Sequence, residues 1–359
     1  MVTDQLRVGV LAFPWKIPAP AYGGVERAVD GLCRGLLACG HDVRLWSAIS
    51  STCPVTRSGV IDAVDNAAGW HGTPDELLHV LSGYEWLTAE AVDIIHDITY
   101  SGPLVGPHLV DVPVVTTNYL PFTPPLEGQS SPDLSLIYQT IAKRVPVLAV
   151  SQAQARGASG FRPHTILLGI DIDLVPFGNG EGDEYGSYAA FFGRMAPEKG
   201  AREAVLAARE AGLRLKIAAR VSEAHEHAYF ANEVEPLIDS SDIQFVGELS
   251  RTDSYDLLKN AAVMVNPIAW PEPLGITMIE SLAAGTPVVA RRAGAVEEVV
   301  THGVTGAVCD SFDEIVAALR GYKLFDRSAC RRSAEEKFSN QRAVTEHIAF
   351  YRSVLEGHT

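Results

Sequence analysis

The sequence predicts an α/β protein made of two doubly wound domains. Three observations predict it. Short β-rich runs alternate with amphipathic helical segments, the pattern of parallel strands joined by right-handed crossovers. The alternation breaks near residue 175 in a glycine-rich, acidic stretch and then starts afresh. A chain of 359 residues also suits two domains, at roughly 100–200 residues each.

Arg7–Ala12 (RVGVLA) has the length and apolar content of a buried strand. Gly24–Cys39 reads as a helix, with Val25, Ala28, Val29, Leu32 and Leu36 at helical spacing. Gly40 ends it, and Asp42–Trp46 resumes as a strand. Val92–Ile95, Val114–Thr116 and Val147–Val150 are further strand candidates. Val175–Ser187 (VPFGNGEGDEYGS) holds four Gly and three acids with little to pack, the composition of a linker. Beyond it come a strand at Tyr188–Phe192, a helix at Ala201–Ala211 and strands at Arg214–Ala218, Ile243–Val246 and Val263–Val265. A helix at Gly275–Ala284 and a strand at Val288–Ala290 follow. The expected boundaries are a first domain over 1–172, a linker over 173–187, a second domain over 188–338 and a C-terminal helix over 339–359 able to pack back on the first domain. Ligands of doubly wound sheets bind beyond the carboxyl ends of the strands, so two facing sheets predict a site in a cleft.

Composition narrows the class. With 47% hydrophobic and 20% charged residues, disorder, collagen and coiled coil are excluded. The net charge of −15 disfavours nucleic acid and anionic lipid as partners. Five cysteines (Cys33, Cys39, Cys53, Cys309, Cys330), without C-x-x-C spacing, read as reduced thiols. The start, MVTDQLRVGVLAFPW, lacks the form of a signal peptide, and no apolar run reaches the ~18–20 residues of a membrane span. A cytoplasmic protein without stable membrane insertion, monomer or homodimer, is the expectation.

Three segments carry residues suited to chemistry. Gly23 and Gly24, in Tyr22-Gly23-Gly24-Val25-Glu26, follow a strand and open a helix, where free amides suit an anion. A tight strand–helix turn explains them equally, and the dinucleotide fingerprint G-x-G-x-x-G is absent. Phe192-Gly193-Arg194-Met195-Ala196-Pro197-Glu198-Lys199-Gly200 begins at the end of the second domain's first strand. Arg194 and Lys199 there suit a diphosphate, one as a planar fork and one as a point charge; a solvated pair with Glu198 is the bland reading. In Trp270-Pro271-Glu272-Pro273-Leu274-Gly275-Ile276-Thr277-Met278-Ile279-Glu280-Ser281, two prolines hold Glu272 outside any helix. A helix starting near Gly275 would offer the amides of Gly275, Ile276 and Thr277 to an anion. Glu280 sits in an apolar segment, where a carboxylate needs hydrogen-bond donors such as two ribose hydroxyls. The alternative is Glu280 on an exposed stripe and Glu272 as a cap.

These segments together resemble the GT-B glycosyltransferases of the large retaining family 4. Glu272-x7-Glu280 with its surrounding Glu-Pro-Leu-Gly-Ile-Thr-Met-Ile-Glu-Ser resembles the family's paired-glutamate motif. Phe192-Gly193-Arg194 with Glu198-Lys199-Gly200 is similar to its phosphate loop, Gly23-Gly24-Val25-Glu26 to its N-terminal loop, and Gly169-Ile170-Asp171 to the end of its first domain. The resemblance implies two Rossmann-like domains facing each other across a cleft. It implies transfer of a hexosyl group from a nucleotide diphosphate sugar, a UDP-sugar by family frequency, to a small-molecule, sugar or glycan acceptor. That chemistry is retaining, front-face and free of metal and cofactor. Arg194 and Lys199 would neutralise the diphosphate, and Glu280 would bind ribose. Glu272 would hold sugar hydroxyls, the amides of Gly275, Ile276 and Thr277 would hold phosphate or sugar oxygens, and Gly193 and Leu274 would also line the donor. Gly23 and Gly24 would approach the donor from the other domain. His96 matches a position near the sugar, although a satisfied core histidine fits it too. Asn118 and Tyr119 fall in the acceptor region.

Three positions depart from the family pattern. Asn118 stands where His is frequent and cannot exchange a proton, though it can hydrogen-bond a hydroxyl. Leu168 replaces the Asn of Asn-Gly-Ile-Asp, and Ala219 stands where Gly is frequent. Two decoys are discounted. Asp171-Ile172-Asp173 has D-x-D form but lies beside the linker, and His225-Glu226-His227 lacks an H-E-x-x-H frame and reads as a solvated helix face. A nucleotide-sugar epimerase or hydrolase on the same fold, or a non-catalytic nucleotide-sugar-binding protein, is the competing reading.

Overall fold

A computed structural model of the protein describes residues 5–21, 23–64, 73–123, 134–239 and 241–357. The chain forms two compact units: Met1–Ala19, Gly23–Gly169 and Asn340–Thr359 in the first, and Pro20–Tyr22 with Ile170–Ser339 in the second.

The first unit contains β1 (Arg7–Leu11), α1 (Gly24–Ala38), β2 (Asp42–Trp46), β3 (Thr56–Ser58), α2 (Pro74–Ala89), β4 (Ile94–Asp97), α3 (Gly102–Val105), β5 (Val114–Asn118), α4 (Ser135–Ile141), β6 (Val147–Ala149), α5 (Gln152–Arg156) and β7 (His164–Thr165). Its seven strands are all parallel in the order β3-β2-β1-β4-β5-β6-β7. Strand order reverses at β1, as in a doubly wound sheet. Strands buried on both faces should read as continuous apolar runs, and Val8, Val10, Leu11, Val43 and Leu45 are all 1% exposed or less. One face packs on α1 (Val29, Leu32, Leu36), the other on α2 (Val80, Tyr84, Leu87).

The second unit contains β8 (Tyr188–Arg194), α6 (Ala201–Ala211), β9 (Arg214–Arg220), α7 (Ala224–Tyr229), β10 (Ile243–Gly247), α8 (Arg251–Asn260), β11 (Val263–Asn266), α9 (Ile276–Ala283), β12 (Val288–Arg291), α10 (Val296–Val299), β13 (Gly306–Cys309), α11 (Phe312–Arg320) and α12 (Arg327–Phe338). Its six strands run parallel in the order β10-β9-β8-β11-β12-β13, again reversing at the first strand. The last helix, α13 (Asn340–Leu355), belongs to the first unit. There Asn340 Nδ2 donates to the Gly31 carbonyl at 2.8 Å, and Val344, Phe350 and Tyr351 join the core under α1.

The segment expected as a linker is not loose chain. Gly178, Gly180 and Gly182 donate backbone bonds to the carbonyls of Ala284, Lys259 and Asn260. Arg327 donates to the carbonyls of Gly178, Ala261 and Lys259, and Arg331 to those of Val175 and Ala283. The glycines supply the left-handed backbone at 180 and 182, and the arginines come from α12, too distant in sequence to signal this. Strand β4 starts two residues later than expected, at Ile94; just ahead of it the Asp93 amide donates to the Arg7 carbonyl at 2.8 Å and the Asp93 carboxylate accepts from the Arg7 amide at 2.7 Å.

No helix among the described residues is long and apolar enough to cross a membrane. Cys33, Cys53, Cys309 and Cys330 are buried free thiols, and Cys39 is exposed.

Candidate functional site

In the second unit, two loops converge beside β8. The first follows β8 itself, turning through a short 3-10 segment at Pro197–Lys199 into Gly200, which is left-handed at φ 79. The second follows β11, the sheet neighbour of β8, and carries Trp270-Pro271-Glu272-Pro273. This is the switch point of the sheet, where such folds place ligands. The loops are locked together: Ala269 N donates to the Glu198 carbonyl at 2.8 Å. A Cβ at Gly200 would lie 2.5 Å from the Pro267 carbonyl oxygen.

Arg194 ends β8, and its guanidinium donates to Glu226 Oε1 at 3.0 Å and to Glu198 Oε1 at 3.2 Å. Lys199 Nζ lies 2.6 Å from Glu272 Oε2 and 4.3 Å from the centre of the Trp270 ring, whose indole N–H donates to the same oxygen at 2.8 Å. The side chains of Lys199 and Glu272 are each 13% exposed, so water screens the pair less than at an open surface. Glu272 is also fixed by its backbone. Ala295 N donates to its carbonyl at 2.9 Å, and a Cβ at the left-handed Gly294 would collide with its N and O.

Helix α9 starts where the prolines and Gly275 predict. Gly275 is left-handed at φ 86 and no side chain caps the helix, so the amides of its first turn are offered outward. Ile276 and Thr277 are half-buried, and Leu274 is buried and anchors the loop. One turn on, Glu280 is 1% exposed, with Tyr255 Oη at 3.4 Å from its Oε1. Arg251 Nε in turn donates to the Tyr255 hydroxyl at 2.9 Å. The exposed-stripe reading of Glu280 is thereby overturned.

Gly193 is informative for what it lacks. A Cβ there would meet only the Phe191 ring at 4.0 Å, and the residue is not left-handed. Nothing in the fold itself requires glycine at this place, so open space lies above the strand end beside Arg194. Ala219 pairs with Gly193 across the sheet and is buried.

The discounted H-E-H segment needs correction. Only His227 is exposed among its three residues; Glu226 is fully buried and grips Arg194. Asp171 and Asp173 are exposed. Among the described residues, no group of three or more His, Cys, Asp or Glu is arranged to hold a metal ion.

The first unit's candidates are arranged differently. His96 is fully buried, with Tyr351 Oη at 2.7 Å from Nδ1 and Thr117 Oγ1 at 2.7 Å from Nε2. Burial, with His347 nearby, pulls its pKa well below the ordinary imidazole value. Both ring nitrogens are engaged, which is the geometry of a satisfied core histidine, and the ring has none left for a reacting proton. Asn118 closes on its own chain: Nδ2 donates to the Leu120 carbonyl at 2.6 Å, and Oδ1 accepts from the Leu120 amide at 3.0 Å. Tyr119 packs against the core under α1. Gly23 precedes α1 and Gly24 opens it; a Cβ on Gly23 would lie 2.5 Å from Ala19 Cβ and 2.9 Å from Glu26 Oε2.

Sequence reasoning missed Glu226, Trp270 and Tyr255. Only Trp270 carried a signal, being inside the proline-bracketed loop; the other two come from helices α7 and α8 and act by long-range contact.

Comparison with known proteins adds the following. The model for "Glycosyl transferases group 1" matches residues 180–336, and that for "Glycosyltransferase Family 4" matches residues 22–174. A glycogen synthase of Mycobacterium tuberculosis is 26% identical, the match covering 90% of this chain and 88% of that protein. Among solved structures, AviGT4, a glycosyltransferase involved in avilamycin A biosynthesis, superposes with a TM-score of 0.72 at 23% identity, covering 98% of both chains. HepE from Anabaena, in complex with UDP and glucose, gives a TM-score of 0.76 at 18% identity over 97% of this chain and 100% of that one.

Proposed function

Because the chain is a GT-B glycosyltransferase of the family 4 type, we propose that it transfers a hexosyl group from a nucleotide diphosphate sugar to a small-molecule, sugar or glycan acceptor, with retention and without a metal ion. The observation that carries the reading is the placement of Arg194 and the Lys199–Glu272 pair beside the uncapped start of α9, next to the open space over Gly193.

The hard part of the reaction is charge: a sugar cation develops while a diphosphate departs. Preorganised cations and helix-end amides aimed at the departing group stabilise that state more than the ground state. Arg194 and Lys199 are the cations. The entering diphosphate takes Lys199 from Glu272, and Glu272, released, accepts from hydroxyls of the transferred sugar. Glu280 accepts from the ribose hydroxyls. The C1–O bond to phosphate breaks as the acceptor oxygen bonds C1 on the same face, and the acceptor proton goes to the departing phosphate oxygen. No carboxylate nucleophile of the kind used by retaining glycosidases is needed.

A UDP-sugar leads the donor list, supported by HepE binding UDP, and a glucan leads the acceptor list, supported by the glycogen synthase relative. The test is a thermal-shift screen of nucleoside diphosphates followed by mass-detected transfer from sugars of the best base. Anomeric configuration is then read by NMR. An inverted product overturns the mechanism. Fast release of nucleoside diphosphate or formation of an epimer with no acceptor present favours the epimerase or hydrolase reading. Full activity after chelator treatment is expected, and its loss refutes metal independence.

A further inference from the structure

Glu226 lies in a segment whose pattern reads as solvated, yet it is fully buried and both of its carboxylate oxygens accept hydrogen bonds. Its two oxygens are divided between tasks. Oε2 accepts from the Ser222 amide at 2.9 Å, the Ser222 hydroxyl at 3.2 Å and the Glu223 amide at 3.2 Å. Oε1 accepts from Arg194 at 3.0 Å. The same residue forms a reciprocal capping box with Glu223 at the start of α7. The carboxylate is therefore bolted to the helix start before it meets the guanidinium.

We infer that Glu226 is a positioning residue for the glycosyl transfer, holding the Arg194 guanidinium in the plane and place from which it meets the donor diphosphate. Glu198 completes the grip from the other side, with Oε1 3.2 Å from the guanidinium. A guanidinium is a rigid fork, so two fixed acceptors settle its plane. A half-buried charge held this way needs little reorganisation when the leaving group's charge develops. Burial alone would raise the Glu226 pKa; the Ser222 and Glu223 amides and Arg194 outweigh it, and the pKa is lowered, so the grip stays ionic at neutral pH.

The inference rests on the proposed role of Arg194, and the test separates the two. Arg194→Ala, Glu226→Gln and the double variant are compared for donor kcat/KM, melting temperature and affinity for the nucleoside diphosphate against the monophosphate. In Glu226→Gln the amide cannot satisfy both the Ser222 and Glu223 amides and Arg194, so the guanidinium is loosened. The expected loss in kcat/KM is about 10–100-fold, since small misplacements of a charged group act on that scale. Weakened diphosphate affinity with unchanged monophosphate affinity should accompany it. The double variant should be no slower than Arg194→Ala alone, because Glu226 acts through Arg194. Added guanidinium should partly restore turnover to Arg194→Ala but not to the double variant.

Glu226→Gln turning over within twofold of wild type, or losses that add in the double variant, overturns the inference. If Arg194→Ala itself is fully active, the site reading fails first. Should Glu226→Gln not fold, Glu226→Asp, which keeps the charge but shortens the reach, gives the same two readouts.

Discussion

Both units are parallel doubly wound sheets whose order reverses at the first strand, yet they treat polar residues at the reversal in opposite ways. In the second unit, charged side chains pair with one another across loops: Arg194 with Glu198 and Glu226, Lys199 with Glu272. Arg194 and Lys199 remain 22% and 13% exposed, so a ligand can reach both, drawing Lys199 from Glu272 while Glu198 and Glu226 keep their hold on Arg194. In the first unit, His96 and Asn118 are buried and bonded to the chain itself. Asp97 likewise accepts from Tyr84 Oη at 2.6 Å and from the amide and hydroxyl of Thr99 at 2.7 Å. Such residues shape loops and core. The contrast teaches that titratable residue types at a strand end do not make a site; charges that a ligand can still reach do.

The sharpest way to break this contrast is mutation of the cations. Arg194→Ala and Lys199→Ala should each lower kcat/KM per folded molecule on the order of 10²-fold or more, as loss of a preorganised charge contact does; Arg194→Ala should also lower the melting temperature, because it leaves the buried Glu226 carboxylate without its cation. Turnover near normal in both removes the second unit's claim to the chemistry.

The first unit should answer in stability instead. His96→Ala strands the buried hydroxyls of Tyr351 and Thr117 and leaves a cavity, a loss of about 2–4 kcal/mol by denaturant unfolding. Its kcat/KM per folded molecule should stay within threefold. Normal stability with a hundredfold loss of turnover would restore His96 as a catalytic residue and erase the difference between the units.

Glu280 is the intermediate case, buried like the first unit's residues but proposed to serve a ligand. Glu280→Gln should raise the donor KM about tenfold, the scale of one hydrogen bond to a charged group, with little change in kcat. A 2′-deoxyribose donor should be affected less by the substitution than the ribose donor. Equal effects on both donors would move Glu280 into the structural class.

Much of this organisation was legible. Asp42–Trp46 and Ala201–Ala211 form the strand and helix over the residues their patterns delimit, because Gly40 and Gly212 punctuate them. The Glu272–Glu280 segment was legible because prolines and Gly275 set its local geometry, and local geometry is what a sequence displays. Strands β3 and β7, at three and two residues, carry too little periodicity to register. Glu226 was misread for another reason: its partner lies 32 residues away and its burial depends on how α7 sits on the sheet, which no local pattern encodes. The linker was misread because its glycines signal flexibility while Arg327 and Arg331, some 150 residues on, remove it.

The smallest expected effect concerns acid. In the first unit, burial lowers the pKa of His41, His79 and His96 and brings His347 to about 4. Each of these folded imidazoles binds fewer protons than its unfolded counterpart as pH falls below the ordinary value near 6.5, and for His347 that window reaches down to about 4. Their stabilising effect is complete above that window and is lost as pH falls through it. Asp97 opposes them: burial raises it to about 7, so it binds more protons folded than unfolded and loses stability as pH rises over the same window. One carboxyl against four imidazoles leaves a net loss on acidification. In the second unit the shifts run the other way. Arg214 holds the Asp183 carboxyl low, and Glu226 is held low against its burial by amides and Arg194. Those contributions persist until pH drops below the ordinary carboxylate range near 4. Hydrogen exchange at pH 5 against pH 7 should therefore show protection lost from β1, β4, β5 and α13 while β8, β9 and β11 keep theirs. Loss of protection first in the second unit would show that the buried imidazoles do not govern the acid response.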